Sequence, residues 1–287
     1  MKKQLITTVL ISLLTGCSLT ACGGGATEIA TNDNALSVLV APDRYQKLTV
    51  SRSLSTTPYG YQVVQNPEPV RAGKISQRFE LRAGDCAIQP EWNDCATDRS
   101  RTEVVVDQSM ASGSEYWVAF SLFLPNDFQA SSTVKSTVGQ IKPRSGPVGS
   151  YAGFASAPSL FQLYMQGNEY NFCWQELTDP ASGTTVCRDI KMSKIDEMKE
   201  KWTDVALHFS TSKTQGFAHV YVNGELKGSI NRPIVNYEAK NFFVKYGIYN
   251  TLISRNNAPM PTQVVYFDEV KIETKEQQVK AFSPAVD

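Results

Sequence analysis

The sequence predicts an all-β protein, a two-sheet antiparallel sandwich with one short helix, behind an N-terminal export segment. Three observations carry this. From about Tyr59 onward, short runs of alternating apolar and polar residues follow one another between turn residues, the period-two pattern of half-buried strands. Asn223-Gly224 separates Val220-Tyr221-Val222 from Glu225-Leu226-Lys227, and Asn-Gly supplies the left-handed backbone that a two-residue hairpin needs. Only Ser193-Trp202 reads as helical, with Ser193 as its cap and Glu197 and Lys201 as an i,i+4 pair. Many strands with one minor helix fit a sandwich and not alternating βαβ units.

The strands expected in order are Gln77-Leu81, Arg101-Val106, Tyr116-Leu124, Leu160-Met165, Tyr170-Gln175, Thr203-Ser210, Ala218-Val222, Phe242-Tyr249 and Val264-Ile272. No internal repeat is evident. A length of 287 residues with 41% hydrophobic content is enough for one large sandwich domain. Lys+Arg and Asp+Glu both number 28, so the net charge is zero. That argues against a globally basic nucleic-acid binder, and any acidic ligand must meet a local excess of positive charge.

The first 22 residues read as a bacterial lipoprotein signal peptide. Lys2 and Lys3 precede an apolar run, Leu5 to Leu14, that is short for a membrane span. Leu14-Thr15-Gly16-Cys17 and Leu19-Thr20-Ala21-Cys22 both have the form of a lipobox, whose Cys is lipidated. Cys22 is the favoured site, because Gly23-Gly24-Gly25 after it suits a flexible tether. The expected localisation is therefore outside the cytoplasm, lipid-anchored to the cell envelope, with the anchor as the sole membrane contact. An ordinary cleaved signal peptide also leads outside the cytoplasm. Residues 23–58 read as tether, with an early strand near Leu36-Val40, and 59–287 as the domain, expected to be a monomer.

Four further cysteines, Cys86, Cys95, Cys173 and Cys187, are an even set in an exported chain and indicate disulfides. They permit three pairings, of which Cys86–Cys95 with Cys173–Cys187 closes two short loops and is expected. Zinc is disfavoured: no C-x-x-C spacing occurs, and the only histidines, His208 and His219, lie far away in sequence.

Three segments place charged or phenolic groups within strands that otherwise look buried, where such groups must be paired or exposed. In the first, Arg101 and Glu103 share a face opposite Thr102, Val104 and Val106. In the second, Gln140 and Lys142 flank an inward Ile141. In the third, Lys245, Gly247 and Tyr249 share a face opposite Val244, Tyr246 and Ile248, with Gly247 expected to leave room for a ligand.

These residues resemble the jelly-roll polysaccharide lyases. Arg101-Thr102-Glu103-Val104, Gln140-Ile141-Lys142 and Lys245-Tyr246-Gly247-Ile248-Tyr249-Asn250 follow the order of the alginate-lyase motifs R-[ST]-E-[LV], Q-I-[HV] and Y-F-K-x-G-x-Y-N. Features of the heparin-lyase-like and glucuronan-lyase-like relatives accompany them. These are Gly84-Asp85-Cys86 with Cys95 and Asp98-Arg99, Tyr116-Trp117, Trp202 through His208-Phe209-Ser210, and Tyr266-Phe267-Asp268-Glu269-Val270. The resemblance spans roughly residues 60 to 275.

It implies a concanavalin A-like jelly roll whose groove binds a uronic-acid polysaccharide such as alginate or glucuronan. The implied reaction is β-elimination, for which no cofactor is required. By position, Arg101 and Gln140 neutralise the uronate carboxylate, Tyr249 is the acid, and Lys245, Glu103, Asn250 and Arg99 bind substrate. Neighbouring cations are expected to favour the Tyr249 phenolate. Lys142 stands where the family often has His. Tyr249 makes both proton transfers, or Lys142, with its pKa lowered by other cations, is the base, with His208 and His219 as further candidate bases. Jelly-roll carbohydrate proteins also hold structural Ca²⁺ with an Asp such as Asp268. The alternatives are a non-catalytic glycan-binding lipoprotein on the same fold and a glycoside hydrolase. The paired-carboxylate strand motif of the latter is absent, as is G-x-S-x-G for an esterase.

Overall fold

β-branched and aromatic residues at every second position drive one face of each strand out of water, and two such sheets close over one another. The structure is a computed structural model that describes residues 37–40, 48–53, 57–89, 92–144, 158–179 and 183–275. Cys17, Cys22 and the signal segment lie outside the described residues.

The strands are β1 (Ser37–Val40), β2 (Leu48–Ser53), β3 (Tyr61–Gln65), β4 (Ile75–Leu81), β5 (Ile88–Gln89), β6 (Trp92–Asn93), β7 (Arg99–Ala111), β8 (Glu115–Phe123) and β9 (Lys135–Arg144). They continue as β10 (Phe161–Gln166), β11 (Glu169–Asp179), β12 (Thr184–Lys194), β13 (Trp202–Ser210), β14 (Phe217–Val222), β15 (Glu225–Ile230), β16 (Asn241–Thr251) and β17 (Gln263–Glu273). One sheet runs β1-β2-β7-β16-β9-β10-β11-β12, and the other β15-β14-β13-β8-β17-β4-β3. All pairings in both are antiparallel. This is the expected β-sandwich jelly roll.

Between the sheets, Val104, Val106, Ile141, Tyr246 and Ile248 of the first meet Phe79, Leu122, Phe209 and Phe267 of the second, all essentially inaccessible. Phe79, Tyr246 and Phe267 form an aromatic triangle across the interface, with centroids 5.0–5.7 Å apart. Burying each of these side chains contributes about 1.5–3 kcal/mol. The Tyr246 hydroxyl, which would be costly unpaired, donates to Gln77 Oε1 at 2.7 Å.

Two expectations change. The fold begins well before Tyr59: β2 pairs with β7, and Leu48 and Val50 enter the core. The helix shrinks to one turn, α1 (Ile195–Met198), and Ser193 does not cap it. Ser193 and Lys194 instead complete β12, Lys194 opposite Glu169 on β11 with its ammonium 2.6 Å from that carboxylate. Ladder hydrogen bonds outweigh a weak helical preference there. The hairpin is as read, with Asn223 and Gly224 at φ 50° and 79°, and both expected disulfides, Cys86–Cys95 and Cys173–Cys187, are formed.

Candidate active site

The sheet order sets β7, β16 and β9 side by side, so the three chemically unusual segments become neighbours. Tyr249 lies opposite Arg101, Gly247 opposite Glu103, Lys245 opposite Gln140 and Phe243 opposite Lys142. The intervening residues Thr102, Val104, Ile141, Tyr246 and Ile248 are buried toward the other sheet. Period-two geometry therefore turns Arg101, Glu103, Gln140, Lys142, Lys245 and Tyr249 to the outer face of the same sheet.

Gly247 has a different cause from the one expected. It sits at φ 130°, at an irregularity in the β16·β9 register. An added Cβ would lie 2.3 Å from the Thr102 carbonyl oxygen and 2.9 Å from the Phe79 ring. Close approach to β7 and to the core requires glycine here, and no ligand need be invoked.

Glu103 is the hub of the site. Only 3% exposed, it accepts from Gln140 Nε2 at 2.5 Å, from Lys245 Nζ at 2.7 Å and from Arg101 Nη1 at 3.4 Å. A buried carboxylate with these partners organises cations; it is not the substrate contact expected of it. Ser159 Oγ donates to the Gln140 carbonyl at 2.9 Å and fixes the amide from the other side. Arg101, 8% exposed, has its guanidinium 4.1 Å from the Tyr249 ring centroid. A second carboxylate, Asp94, receives Arg101 Nε and Nη2, each at 2.7 Å. Arg99 is half-buried beside them, its guanidinium 5.4 Å from the Trp92 ring. Four cations, Arg99, Arg101, Lys142 and Lys245, thus face two carboxylates, Asp94 and Glu103, and when all are ionised the site carries two surplus positive charges.

Those charges and burial set the proton affinities. Burial, reinforced by the Lys245, Arg101 and Arg99 charges and opposed by Glu103, brings the Lys142 amine down to about 7. Burial also lowers Lys245, although the Glu103 carboxylate pulls against it. Tyr249 moves the other way from the expectation: burial raises its phenol above the ordinary value, and the Arg101 and Arg99 charges reduce that rise without reversing it. Neighbouring cations do not make Tyr249 a resting phenolate. The face accordingly presents a lysine readily neutral and a tyrosine firmly protonated.

Other expected residues lie elsewhere. Asn250 points to the opposite face, 1% exposed, its amide donating to Gln263 Oε1 at 2.9 Å; alternation next to Tyr249 makes this unavoidable. His208 and His219 belong to β13 and β14 of the other sheet. There His208 stacks on Trp117 at 4.0 Å and bonds Glu115 at 2.7 Å, and His219 bonds Asn231 at 3.2 Å. Asp268 does not fit a calcium ligand. Its oxygens accept the backbone N–H groups of Arg71, Ala72 and Glu269 at 2.7–3.1 Å, and burial raises its carboxyl to about 6. Among the described residues, the only trio of close His, Cys, Asp or Glu ligand atoms is Cys173, Cys187 and Asp189, whose cysteines are disulfide-bonded. Asp268 therefore pins the 71–72 segment to β17. Asp94 and Ser159 were not anticipated. In the sequence, the Cys86 and Cys95 pair and Asp98-Arg99 mark the loop but do not single out Asp94.

The sequence profile of a family described as polysaccharide lyase matches residues 44–271. The chain belongs to the polysaccharide lyase family. Among solved structures, the fungal endo-β-1,4-glucuronan lyase from Trichoderma reesei is similar in fold to this lyase. Its TM-score is 0.60 at 17% identity, over 76% of this chain and 89% of that one. A cysteine-substituted form of the alginate lyase A1-II′ gives a TM-score of 0.50 at 14% identity, over 77% and 86% of the two chains. No curated protein matches. The family match is the basis for the lyase activity; identities this low speak for the fold alone.

Proposed function

We propose that this lyase cleaves a uronic-acid polysaccharide, alginate or glucuronan in type, by β-elimination, with Lys142 as base and Tyr249 as acid. The observation that carries the reading is the pairing on one face of an amine near neutrality with a protonated phenol, beside a surplus of positive charge. Elimination needs the uronate carboxylate neutralised, so that the C5 proton becomes acidic. The Arg101, Arg99 and Lys245 charges supply that field, and pre-placed charge of this kind is usually the largest catalytic term. The neutral Lys142 amine takes the C5 proton. The C5–H electron pair becomes the C4=C5 double bond, the C4–O bond breaks, and the Tyr249 hydroxyl gives its proton to the departing oxygen. An unsaturated uronate end and a free hydroxyl end result.

Acid and base are thus separate groups, each in the protonation state its step requires at neutral pH. Glu103 and Gln140 hold the cations at fixed spacing. That the structures similar in fold include a glucuronan lyase and an alginate lyase supports the substrate class. Tyr249→Phe tests the reading: turnover should vanish while polymer binding remains, and a variant that still forms unsaturated product would remove Tyr249 as the acid. The localisation we propose is the cell envelope, through lipid on Cys22. The two disulfides agree with an oxidising compartment.

A further inference from the structure

Asp94 takes part in no proton transfer above, yet it is 0% exposed and its carboxylate is wholly engaged. Oδ2 accepts Arg101 Nε, and Oδ1 accepts Arg101 Nη2 and the Trp92 indole N–H at 2.8 Å. This two-point contact sets the plane of the guanidinium over the Tyr249 ring. Without it, the one remaining carboxylate contact of Arg101 among the described residues is the 3.4 Å bond to Glu103. Arg101 would then pivot toward Glu103 and compete with Lys245 for the same Oε2 atom.

The loop that carries Asp94 is tied down at its ends, where the Asp85 carboxylate accepts from the Tyr59 hydroxyl at 2.7 Å and Asp98 accepts the Leu252 and Ser254 N–H groups at 2.8 and 2.9 Å, but its middle is lightly packed. It contains the two-residue strands β5 and β6, which pair only with each other. Its largest aliphatic side chain, Ile88, is 68% exposed, and among the described residues of the loop Ala87 is the one buried apolar side chain. Two fastenings act beside Asp94 itself. The next residue, Cys95, is bonded to Cys86, and the Asp94 N–H donates to the Ala87 carbonyl at 2.9 Å. The Asp94 carbonyl then receives Arg99 N–H at 3.0 Å, which ties the loop to the start of β7. Covalent closure between 86 and 95 thus fixes the carboxylate relative to the strand that bears Arg101.

We propose that Asp94 is a positioning residue for Arg101 and that the Cys86–Cys95 disulfide holds it in place, so that full activity requires this bond to be closed. The inference rests on the lyase reading above. It adds a dependence on oxidation exerted through a single carboxylate. A disulfide that merely stabilised the domain would act on the folded fraction; this one acts on the rate of folded enzyme.

The test uses the full chain on a polyuronate that the unaltered protein degrades, with Asp94→Asn, Cys86→Ser/Cys95→Ser and the combined triple variant. Near-ultraviolet circular dichroism confirms that each is folded. Displacing Arg101 by about an ångström should lower kcat/KM on the order of 10²-fold in each of the first two. The triple variant should lose no more than Asp94→Asn alone, because both changes remove the same contact. Asp94 is also one of the charges that hold the Tyr249 phenol up, so the alkaline limb of the rate profile should move to lower pH in Asp94→Asn. The disulfide variant keeps the Asp94 charge, so there a shifted limb reports that the carboxylate has moved, and a disulfide with a purely structural role would leave that limb in place. Should Asp94→Asn not fold, Asp94→Glu keeps the charge but shifts the carboxylate by one methylene, and a clear loss of rate is expected. A folded Asp94→Asn with unaltered rate and pH profile overturns the inference alone, as does a triple variant whose loss is the product of the two. No turnover by the unaltered protein on any uronate polymer overturns the functional reading and this inference with it.

Discussion

Lys142 offers the sharpest perturbation of the chemistry. At pH 7 a lysine at its ordinary value of 10.5 is almost wholly charged, whereas at about 7 half of it is a free amine. The neutral fraction is larger by roughly 10³-fold. Under the proposed mechanism, this is what lets Lys142 act as the base. The pH profile of kcat/KM should therefore rise through an acid limb near 7 and hold until Tyr249 ionises in an alkaline limb, because the base acts deprotonated and Tyr249 acts protonated. Lys142→Arg keeps a positive charge that cannot be removed at accessible pH. Substrate binding should persist, while kcat falls by about 10²–10⁴-fold, the usual worth of general acid–base help. Lys142→His should retain most turnover, with an acid limb near the ordinary histidine value of about 6.5. Initial rates of unsaturated-product formation, followed by ultraviolet absorbance across pH, provide the assay. Undiminished kcat in Lys142→Arg would refute the argument, as would an acid limb well below 6 in the unaltered enzyme.

Three other outcomes follow from the same geometry. Lys245→Met removes a charge that disfavours protonated Lys142 and frees Glu103, which favours it; the acid limb should move to higher pH, and an unmoved limb would disconnect the two lysines. Gly247→Ala should destabilise the domain by at least about 2 kcal/mol in urea unfolding, since φ 130° strains any side chain and the new Cβ meets the Thr102 carbonyl; unchanged stability would mean that β16 shifts freely. His208→Gln, on the opposite sheet, should leave the rate profile unaltered, and a lost acid limb would make His208 the base.

The strand pattern was legible because alternation reports burial directly: Val104, Tyr246 and Ile248 point inward as their spacing requires. The shared face of Arg101, Gln140, Lys142, Lys245 and Tyr249 was legible for the same reason, but the adjacency of β7, β16 and β9 was carried only by the family resemblance. What the sequence hid has specific causes. β12 alternates weakly because it is a sheet edge, mostly exposed or half-exposed. β2 looks like tether because few residues follow Val50 into the core. Gly247 reads as space, since a tight backbone and an open one look alike when only the residue type is known. Asp94 lies in a polar loop whose approach to Arg101 is a tertiary event. The direction of the Tyr249 shift depended on whether burial or cations dominate, a balance that sequence position does not contain.

The most direct test of the central claim is to incubate the soluble chain with alginate, glucuronan and glycosaminoglycan in parallel and follow ultraviolet absorbance of the unsaturated uronate end, with Tyr249→Phe as control. The account requires a rise on a uronate polymer that is absent in Tyr249→Phe. Chain cleavage without unsaturated ends, or an equal rise in the Tyr249→Phe variant, would contradict it.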